Sequence, residues 1–578
     1  MLALLLVIPW TSPITTCVFS PGHAVVDCGR DFVTAFPVDV ASYDPSSVTN
    51  ILKITALHAS TNFYVVFDGS VIKTGTLNAG QTQAVYLPSE VEEHQLGQSS
   101  KSVRITSSND ITVFSISERA NSVQTNVVQP VTNLGQEYHV PFLNFTELLL
   151  MLNDYSITNW VVSLDSSSQA QTYNYFRVLI INAEDKENTV KVTNEQSGSE
   201  TSVKLSPFEV LQIQSSDSLM KVTAKANISI LLTHPCLDTS LCRCTMVVHQ
   251  LRPANLLGDS FLVPPPYITN NSRMFSTSDQ PVKLKYGSPP RYGSQTLNPG
   301  SSAFLPFYQL LKDGFSNISA SQPVSLRLLR FGSLVDLLPV SMFSACYLVH
   351  TTSATKSQAF VIVETLQAQS VRLDGGSFDS TVVWNVIVGT IYSWARVNLH
   401  SLMSHVIWHP SSKIAVYVFE NMAMGVPYGG PAISVSDIPD ANGCLVSPAM
   451  LKVKNDGLSW PESRQYCIQE GGRLSSPSYA EAQVSTALKL TKIGARGQAW
   501  IGLRRRLLTT NWYWQSGLDF SFSNWDSGQP VNPEKGMCVS IKMEPKGSYK
   551  WSTARCCSSL KPLCYIPTSY LTLTNTLS

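Results

Sequence analysis

The sequence has few charged residues and no long apolar run. Only 14% of its 578 residues are Asp, Glu, Lys or Arg, and the formal net charge is +1, whereas globular proteins average about 25% charged residues. A near-neutral chain lacks the basic surface that a general nucleic-acid binder needs, so that class is excluded. Beyond the N-terminus no segment reaches about 18 consecutive apolar residues, and no membrane span is predicted. Intrinsic disorder is excluded as well, because 43% of the residues are hydrophobic.

The N-terminus predicts secretion. Residues 1–10 are apolar but too few to span a bilayer as a helix. Small residues at Gly22 and Ala24 suit signal cleavage, so residues 1–24 are interpreted as a signal peptide. A cut near Thr16 or Cys17, or a buried first strand, is the alternative. Sequons agree with a secreted, extracellular glycoprotein. They begin at Asn144, Asn227, Asn270 and Asn317.

Residues 25–435 predict a repetitive β region. Short runs of β-branched and aromatic residues alternate with Gly, Asn, Ser and Pro, which is typical of many short strands. A phrase that begins with proline and reaches an aromatic residue eight positions later recurs at 130–140, 253–263 and 339–349. A strand, polar turn, strand pattern precedes each copy, as in 103–113. We therefore predict four irregular β-sandwich-like units, and their uneven spacing favours stacked sandwiches over a strict propeller.

One apparent catalytic motif has a simpler explanation. Gly258-Asp259-Ser260 resembles the Gly-Asp-Ser block of a hydrolase family, but it occupies the repeat position that Gly135 fills in the preceding copy. The sequence contains no H-E-x-x-H, G-x-S-x-G or phosphate-loop pattern. No catalytic residue is assigned, and the protein is predicted not to be an enzyme.

The β region resembles the N-terminal domain of the IgGFc-binding protein family. The resemblance rests on residues 29–36, on the Leu-Gly joints of the repeat, and on Thr233-His-Pro-Cys236 followed by residues 244–251. It implies a secreted, mucin-associated protein, and the founding member of the family binds the Fc of immunoglobulin G. The resemblance also favours a short Cys236–Cys244 disulfide loop, which suits an oxidising compartment better than a zinc site would.

The last 135 residues have a different composition. Residues 444–578 contain sixteen Lys or Arg and eight Asp or Glu, a net charge of +8, which leaves −7 for the rest of the chain. Ser459 and Glu462 form a capping box that predicts a helix ending near Gly471. A second helix is predicted from Ser478, and a strand and a Trp-rich stretch follow it.

This C-terminal region resembles the C-type lectin-like domain. The motifs that carry the resemblance are Trp500-Ile-Gly-Leu503, Trp512-Tyr-Trp514, Trp525 and a late group of cysteines. It implies an α+β domain over residues 444–567, preceded by a linker at 436–443 and followed by a tail at 568–578. The predicted fold class is thus mainly β, with tandem irregular β-sandwich-like repeats followed by an α+β C-type lectin-like domain. The resemblance implies the disulfides Cys467–Cys564 and Cys538–Cys556, and the leftover Cys444 and Cys557 are assigned to each other.

The usual sugar site of that family is altered in this sequence. Sugar-binding members coordinate Ca²⁺ through a Glu-Pro-Asn or Gln-Pro-Asp triplet and a later Asn-Asp pair, but the matching positions here are Gln529-Pro-Val531 and Ser552-Thr553. Ca²⁺ takes about six to eight oxygen ligands, so one nearby carboxylate does not hold it, and we predict no metal and no cofactor. Candidate ligand-binding residues around this position are Gln529, Asn532, Glu534, Trp551, Ser552 and Thr553.

A run of arginines offers a second candidate surface. Arg504, Arg505 and Arg506 could form a basic face for a sulfated or sialylated glycan or an acidic protein. A solvated loop, or charge matching to the acidic β region, is the alternative interpretation.

Together these patterns predict a secreted recognition or adhesion protein that binds glycans or glycoproteins through its lectin-like domain without Ca²⁺. A structural component of matrix or mucus is the alternative, with the lectin-like domain as an assembly contact. Binding of mucins or of immunoglobulin Fc is a further expectation from the resemblance.

Overall fold

The computed structural model describes most of the chain. The described residues are 25–37, 48–119, 122–141, 176–215, 218–234, 247–263, 273–278, 280–288, 291–298, 301–304, 317–330, 333–352, 356–421, 428–544 and 549–573. The chain divides into two compact units. The N-terminal unit is Met1–Leu445 with Leu571–Ser578, and the C-terminal unit is Val446–Tyr570. The boundary thus lies two residues beyond the predicted start at 444, and most of the predicted tail belongs with the N-terminal unit.

Four β-modules make up the N-terminal unit, as the repeat predicts. The strands of the first module are β1 (Gly29–Pro37), β2 (Thr49–Ala56), β3 (Thr61–Phe67), β4 (Ser70–Leu77), β5 (Thr82–Tyr86), β6 (Glu92–Glu93), β7 (Gly97–Ser99), β8 (Ser102–Arg119) and β9 (Ser122–Val128). Those of the second are β10 (Gly135–Val140), β11 (Arg177–Asn182), β12 (Asn188–Asn194), β13 (Glu200–Leu205), β14 (Val210–Gln214), β15 (Met220–His234) and β16 (Val247–Gln250). Strand β7 comes before them in the chain but pairs with β14 in the sheet of this second module.

The other two modules come next in the chain, and the fourth is divided between two five-stranded sheets. The third contains β17 (Gly258–Leu262), β18 (Arg273–Ser278), β19 (Val282–Ser288), β20 (Arg291–Leu297), β21 (Ser301–Phe304), β22 (Asn317–Arg330) and β23 (Ser333–Asp336). The fourth contains β24 (Cys346–His350), β25 (Lys356–Glu364), β26 (Arg372–Leu373), β27 (Gly376–Ser377), β28 (Asn385–Val386), β29 (Tyr392–Leu399), β30 (Ser404–Trp408), β31 (Ala415–Asn421), β32 (Tyr428–Pro431) and β33 (Ile433–Ser436).

A long strand organises each of the first three modules. The first half of β8 pairs with β1 and β3, and its second half pairs with β2 and β9. Strands β15 and β22 have the corresponding partners in their own modules. The predicted polar turn at 106–110 is wrong, because these residues stay within β8. One continuous strand therefore links both sets of partner strands, with Ile105 and Ile111 fully buried.

The repeated joints connect consecutive modules through a glycine and a proline. A Cβ placed on Gly29 would lie 2.7 Å from the Cβ of Pro130, and the same distance is 2.5 Å between Gly135 and Pro253. It is 2.2 Å between Gly258 and Pro339. Each of the first three modules thus begins with a glycine that packs directly on the proline that introduces the next module, and Gly258 of the apparent hydrolase motif has this packing role.

The four modules close into a ring. Strands β9, β16, β23 and β32 hold equivalent positions, each contacts the next, and β32 contacts β9 again. Two hydrogen bonds between the first and last modules complete the closure. Asp27 N donates to Ser434 O, and Ser434 N donates to the Asp27 carboxylate, both at 2.7 Å. The sequence predicted four units but not this closure, since the uneven loop lengths conceal the regular joints.

Buried ionic groups lie where these strands meet. Asp336 contacts the guanidinium of Arg327 at 2.9 Å and His249 Nε2 at 3.2 Å, and all three side chains are almost entirely buried. Burial alone would raise the pKa of Asp336, but His249 and Arg327 outweigh it and hold that pKa below its usual range. The carboxylate is therefore ionised and paired inside the ring.

The C-terminal unit places two helices against a twisted sheet. Helix α1 (Trp460–Gln469) begins at the predicted capping box, and helix α2 (Ala480–Lys492) begins two residues after Ser478. Three buried tryptophans, Trp500, Trp514 and Trp551, fill the space behind them. The strands are β34 (Leu445–Ser447), β35 (Met450–Val453), β36 (Arg473–Leu474), β37 (Gly497–Arg505), β38 (Trp512–Trp514), β39 (Cys538–Met543), β40 (Trp551–Ala554), β41 (Lys561–Ile566) and β42 (Ser569–Tyr570).

The two disulfides that the lectin resemblance implies are present, but the assignment of the leftover cysteines is wrong. Cys467 is bonded to Cys564 and Cys538 to Cys556. The predicted Cys444–Cys557 bond is wrong, because Cys444 lies in the N-terminal unit and is bonded to Cys346 at a Cα–Cα distance of 5.4 Å, while Cys557 is free and exposed. Three other predictions lie outside the described residues: the signal peptide at 1–24, the Cys236–Cys244 loop, and the sequons at Asn144 and Asn270.

Filling a joint is expected to destabilise the ring. In Gly258→Ala the new methyl group overlaps Pro339, and overpacking of this kind costs about 1–3 kcal/mol. Denaturant unfolding of the full chain should show this loss, with Gly376→Ala as the matched control because its nearest neighbour to a new Cβ is 3.6 Å away. Equal stability of the two variants would contradict the joint contact.

Peptide mapping without reductant tests the disulfide assignment. Alkylation of the folded chain should label Cys557, and digestion should release a peptide pair that joins Cys346 to Cys444. Cys444→Ser should lower stability by about 2–4 kcal/mol, whereas Cys557→Ser should not. A linked peptide containing both Cys444 and Cys557 would refute the assignment.

Candidate functional site

The loop before β39 lies at the position of the predicted sugar site and is held by its own hydrogen bonds. Gln529 Oε1 accepts from Thr553 N at 2.9 Å and from Thr553 Oγ1 at 2.6 Å. Val531 N donates to Thr553 Oγ1 at 3.2 Å. The structure therefore brings the two predicted segments together, but the side-chain oxygen of Gln529 is engaged with protein donors.

Two lysines bond to the polar side chains that precede this loop, Asn524 and Asp526. Lys542 forms an ion pair and hydrogen bond with Asp526, which lowers the pKa of that carboxyl, and Lys550 Nζ donates to Asn524 Oδ1 at 2.8 Å. In the described part of the chain no group of three or more His, Cys, Asp or Glu could hold a metal ion. These residues do not fit Ca²⁺, which needs several oxygens that are free to coordinate it.

The other candidate residues around the loop differ in how deeply they are buried. Trp551 is fully buried, its Nε1 donates to Gln483 Oε1 at 3.0 Å, and its ring packs edge-on against Trp514. It is a core residue and has no face for a sugar. Ser552 is partly buried, and Asn532 and Glu534 are exposed.

The three arginines do not form one face. Arg505 is 7% exposed, its guanidinium lies 4.5 Å from the centroid of Trp512, and it donates to Val531 O at 2.8 Å. Burial lowers its pKa. Arg505 therefore supports the loop from within. Arg504 and Arg506 stack on other rings, 5.3 Å from Trp460 and 5.4 Å from Tyr513.

Arg504 and Arg506 border a cleft that the sequence analysis missed. Its volume is about 570 Å³, and helix α1 contributes Trp460 and Arg464 to its wall. Residues four apart lie on one face of a helix, so the spacing of Trp460 and Arg464 was a usable signal. The remaining lining residues are Trp512, Tyr513, Trp514, Gln515, Gly517, Leu518, Asp519 and Phe520.

Two helices packed on this sheet, with the disulfides Cys467–Cys564 and Cys538–Cys556, define the C-terminal unit as a C-type lectin domain. The family model described as Lectin C-type domain matches residues 456–566, and the model described as IgGFc binding protein matches residues 124–419. The chain belongs to the IgGFc-binding protein family, and it carries a C-type lectin domain.

Individual relatives match each part of the chain. Human IgGFc-binding protein is 27% identical over 214 residues, which are 34% of this chain and 4% of that protein. Rat lithostathine is 32% identical over 111 residues, 19% of this chain and 67% of that protein. A crystal structure of human lithostathine aligns at 25% identity with a TM-score of 0.19, covering 21% of this chain and 83% of that one. Among the described residues no helix is both long and apolar enough to cross a membrane.

Proposed function

We propose that this chain is a secreted, non-enzymatic recognition protein whose lectin domain binds glycans or glycoproteins without Ca²⁺. The observation that carries the proposal is the hydrogen bonding of Gln529 to Thr553, which uses the oxygen that a calcium ion would need. Disulfides support an oxidising extracellular compartment. The lectin relatives support a glycan as the ligand class.

Two features of the usual lectin position disfavour a cation. Val531 has no side-chain oxygen, and the ammonium of Lys542 neutralises Asp526. A divalent cation placed there would have to displace Thr553 from Gln529 and Lys542 from Asp526. Glycan recognition by this domain therefore depends on direct contacts with the protein.

Removing calcium should leave glycan binding unchanged. We expect the secreted full-length chain to give the same pattern on a glycan array in millimolar Ca²⁺ and in excess EDTA. Ca²⁺ should also leave its melting temperature unchanged, because an ion raises the melting temperature only when it binds the folded state. A calcium-dependent lectin on the same array is the control for the chelator. Loss of specific binding in EDTA would overturn the proposal.

Binding of immunoglobulin Fc by the ring is a second candidate, favoured by the family match over residues 124–419. The match covers a small part of human IgGFc-binding protein, so that protein's binding is carried to this chain only as a proposal.

Interferometry with immobilised Fc and Fab fragments tests this candidate. The full chain should bind Fc and not Fab, and the doubly substituted chain Arg504→Gln, Arg506→Gln should bind Fc equally, because the ring lies in the other unit. Absence of Fc binding at micromolar concentration, or its loss in the lectin-domain variant, would exclude the ring as an Fc site.

A further inference from the structure

We propose that the cleft bordered by α1 and residues 512–520 binds an acidic saccharide, with Arg464, Arg504 and Arg506 contacting its sulfate or carboxylate groups. This inference rests on the proposed function, because it names the ligand class and the location of Ca²⁺-independent glycan binding. The cleft is separate from the Gln529–Thr553 loop of the usual lectin site.

The size and lining of the cleft suit a sugar. A volume of about 570 Å³ lies within the range of about 300–1,000 Å³ that is common for ligand pockets. Aromatic side chains from Trp512, Tyr513 and Phe520 line it beside the polar groups. Aromatic rings next to a few placed polar groups are suited to the apolar faces and hydroxyl edges of a saccharide ring.

The charge of the cleft favours an anion. Arg464 and Arg506 are exposed and Arg504 is partly buried, whereas Asp519 is the single carboxylate of the lining. Across the residues that the structure describes, no carboxylate lies within ion-pair distance of these arginines, although sixteen other Lys, Arg or His residues have such a partner. Their donors are therefore available to sulfate or carboxylate oxygens, which guanidinium groups bind in a two-pronged geometry.

The arginines are also positioned before a ligand arrives. Arg504 stacks on Trp460, whose own Nε1 donates to Ile501 O at 2.9 Å, and Arg506 stacks on Tyr513. Stacking covers a guanidinium face and leaves its N–H edge free. Side chains that are already ordered lose less entropy on binding, which strengthens the complex.

Polar atoms without partners mark the cleft wall. Trp514 is 2% exposed, yet its Nε1 has no hydrogen-bond partner in the described structure. Gln515 Oε1 and Arg504 Nε are likewise buried without a partner. Buried polar groups are nearly always satisfied, and a saccharide hydroxyl, which both donates and accepts, is the kind of partner that these three lining residues lack.

Direct titration of the full chain in EDTA tests the inference. The probes are a heparin-derived oligosaccharide for sulfate, a sialylated oligosaccharide for carboxylate, and a chitin oligosaccharide as the neutral arm. Calorimetry should show binding to a probe with acidic groups and not to the neutral one. Arg504→Gln and Arg506→Gln should each weaken that binding about tenfold or more, because a hydrogen bond to a charged group is lost.

Arg555→Gln is the matched control, because Arg555 is exposed in the same unit, lies outside the cleft and carries the same charge. Its affinity should stay within about twofold of the wild type, as expected for a surface charge away from the ligand. In chains with ¹⁵N-labelled tryptophan, the Trp514 indole N–H resonance should shift when the acidic probe is added. Unchanged melting temperatures would show that the variants remain folded.

The outcomes separate this inference from the proposed function. Acidic-glycan binding that is equally strong in Arg504→Gln and Arg506→Gln would place the site elsewhere. Binding of neutral glycans alone would overturn the ligand class and leave Ca²⁺-independent recognition intact. If no glycan binds in EDTA, both proposals fail.

Discussion

The contact on which the N-terminal unit depends is that between a glycine and the proline of the next module. Because a Cβ on Gly135 would lie 2.5 Å from the Cβ of Pro253, only glycine lets the chain lie directly against the proline ring, and this contact sets how each module follows the one before. The segments between joints differ in length, but the glycine–proline contact is the same at each joint. The chain can therefore build a ring from unequal modules, as long as each joint is kept and Asp27 meets Ser434 at the end.

A ring closed by such contacts brings four strands to one centre, and that centre holds charged side chains. Burying Asp336 would be costly for an isolated carboxylate, but Arg327 and His249 lie against it. Removing one member would leave another charged and unpaired, which is the damaging case for buried ions. The buried charges and the joints therefore depend on each other. The joints position the strands, and the charges can stay buried only while those strands keep Asp336 next to Arg327 and His249.

Local patterns in the sequence predicted local structure well. The Ser459–Glu462 capping box begins α1, and the proline phrase marks each joint. Ring closure and the Cys346–Cys444 bond depend on which distant segments meet, and no spacing in the sequence encodes that. The sequence could have predicted that Arg505 faces away from Arg504 and Arg506. Alternate residues of a strand face opposite ways, and Arg505 continues the strand that begins at Gly497.

The orientation of Arg505 connects the altered sugar site to the cleft. The loop at the altered sugar site is held by its own hydrogen bonds, in which Arg505 and Thr553 contact Val531 and Gln529. Since Arg505 points toward the loop, its neighbours in the strand must point the other way, where Arg464 of α1 adds a third positive charge. The alternation of side chains along this one strand thus stabilises the loop on one face and supplies basic side chains to the cleft on the opposite face.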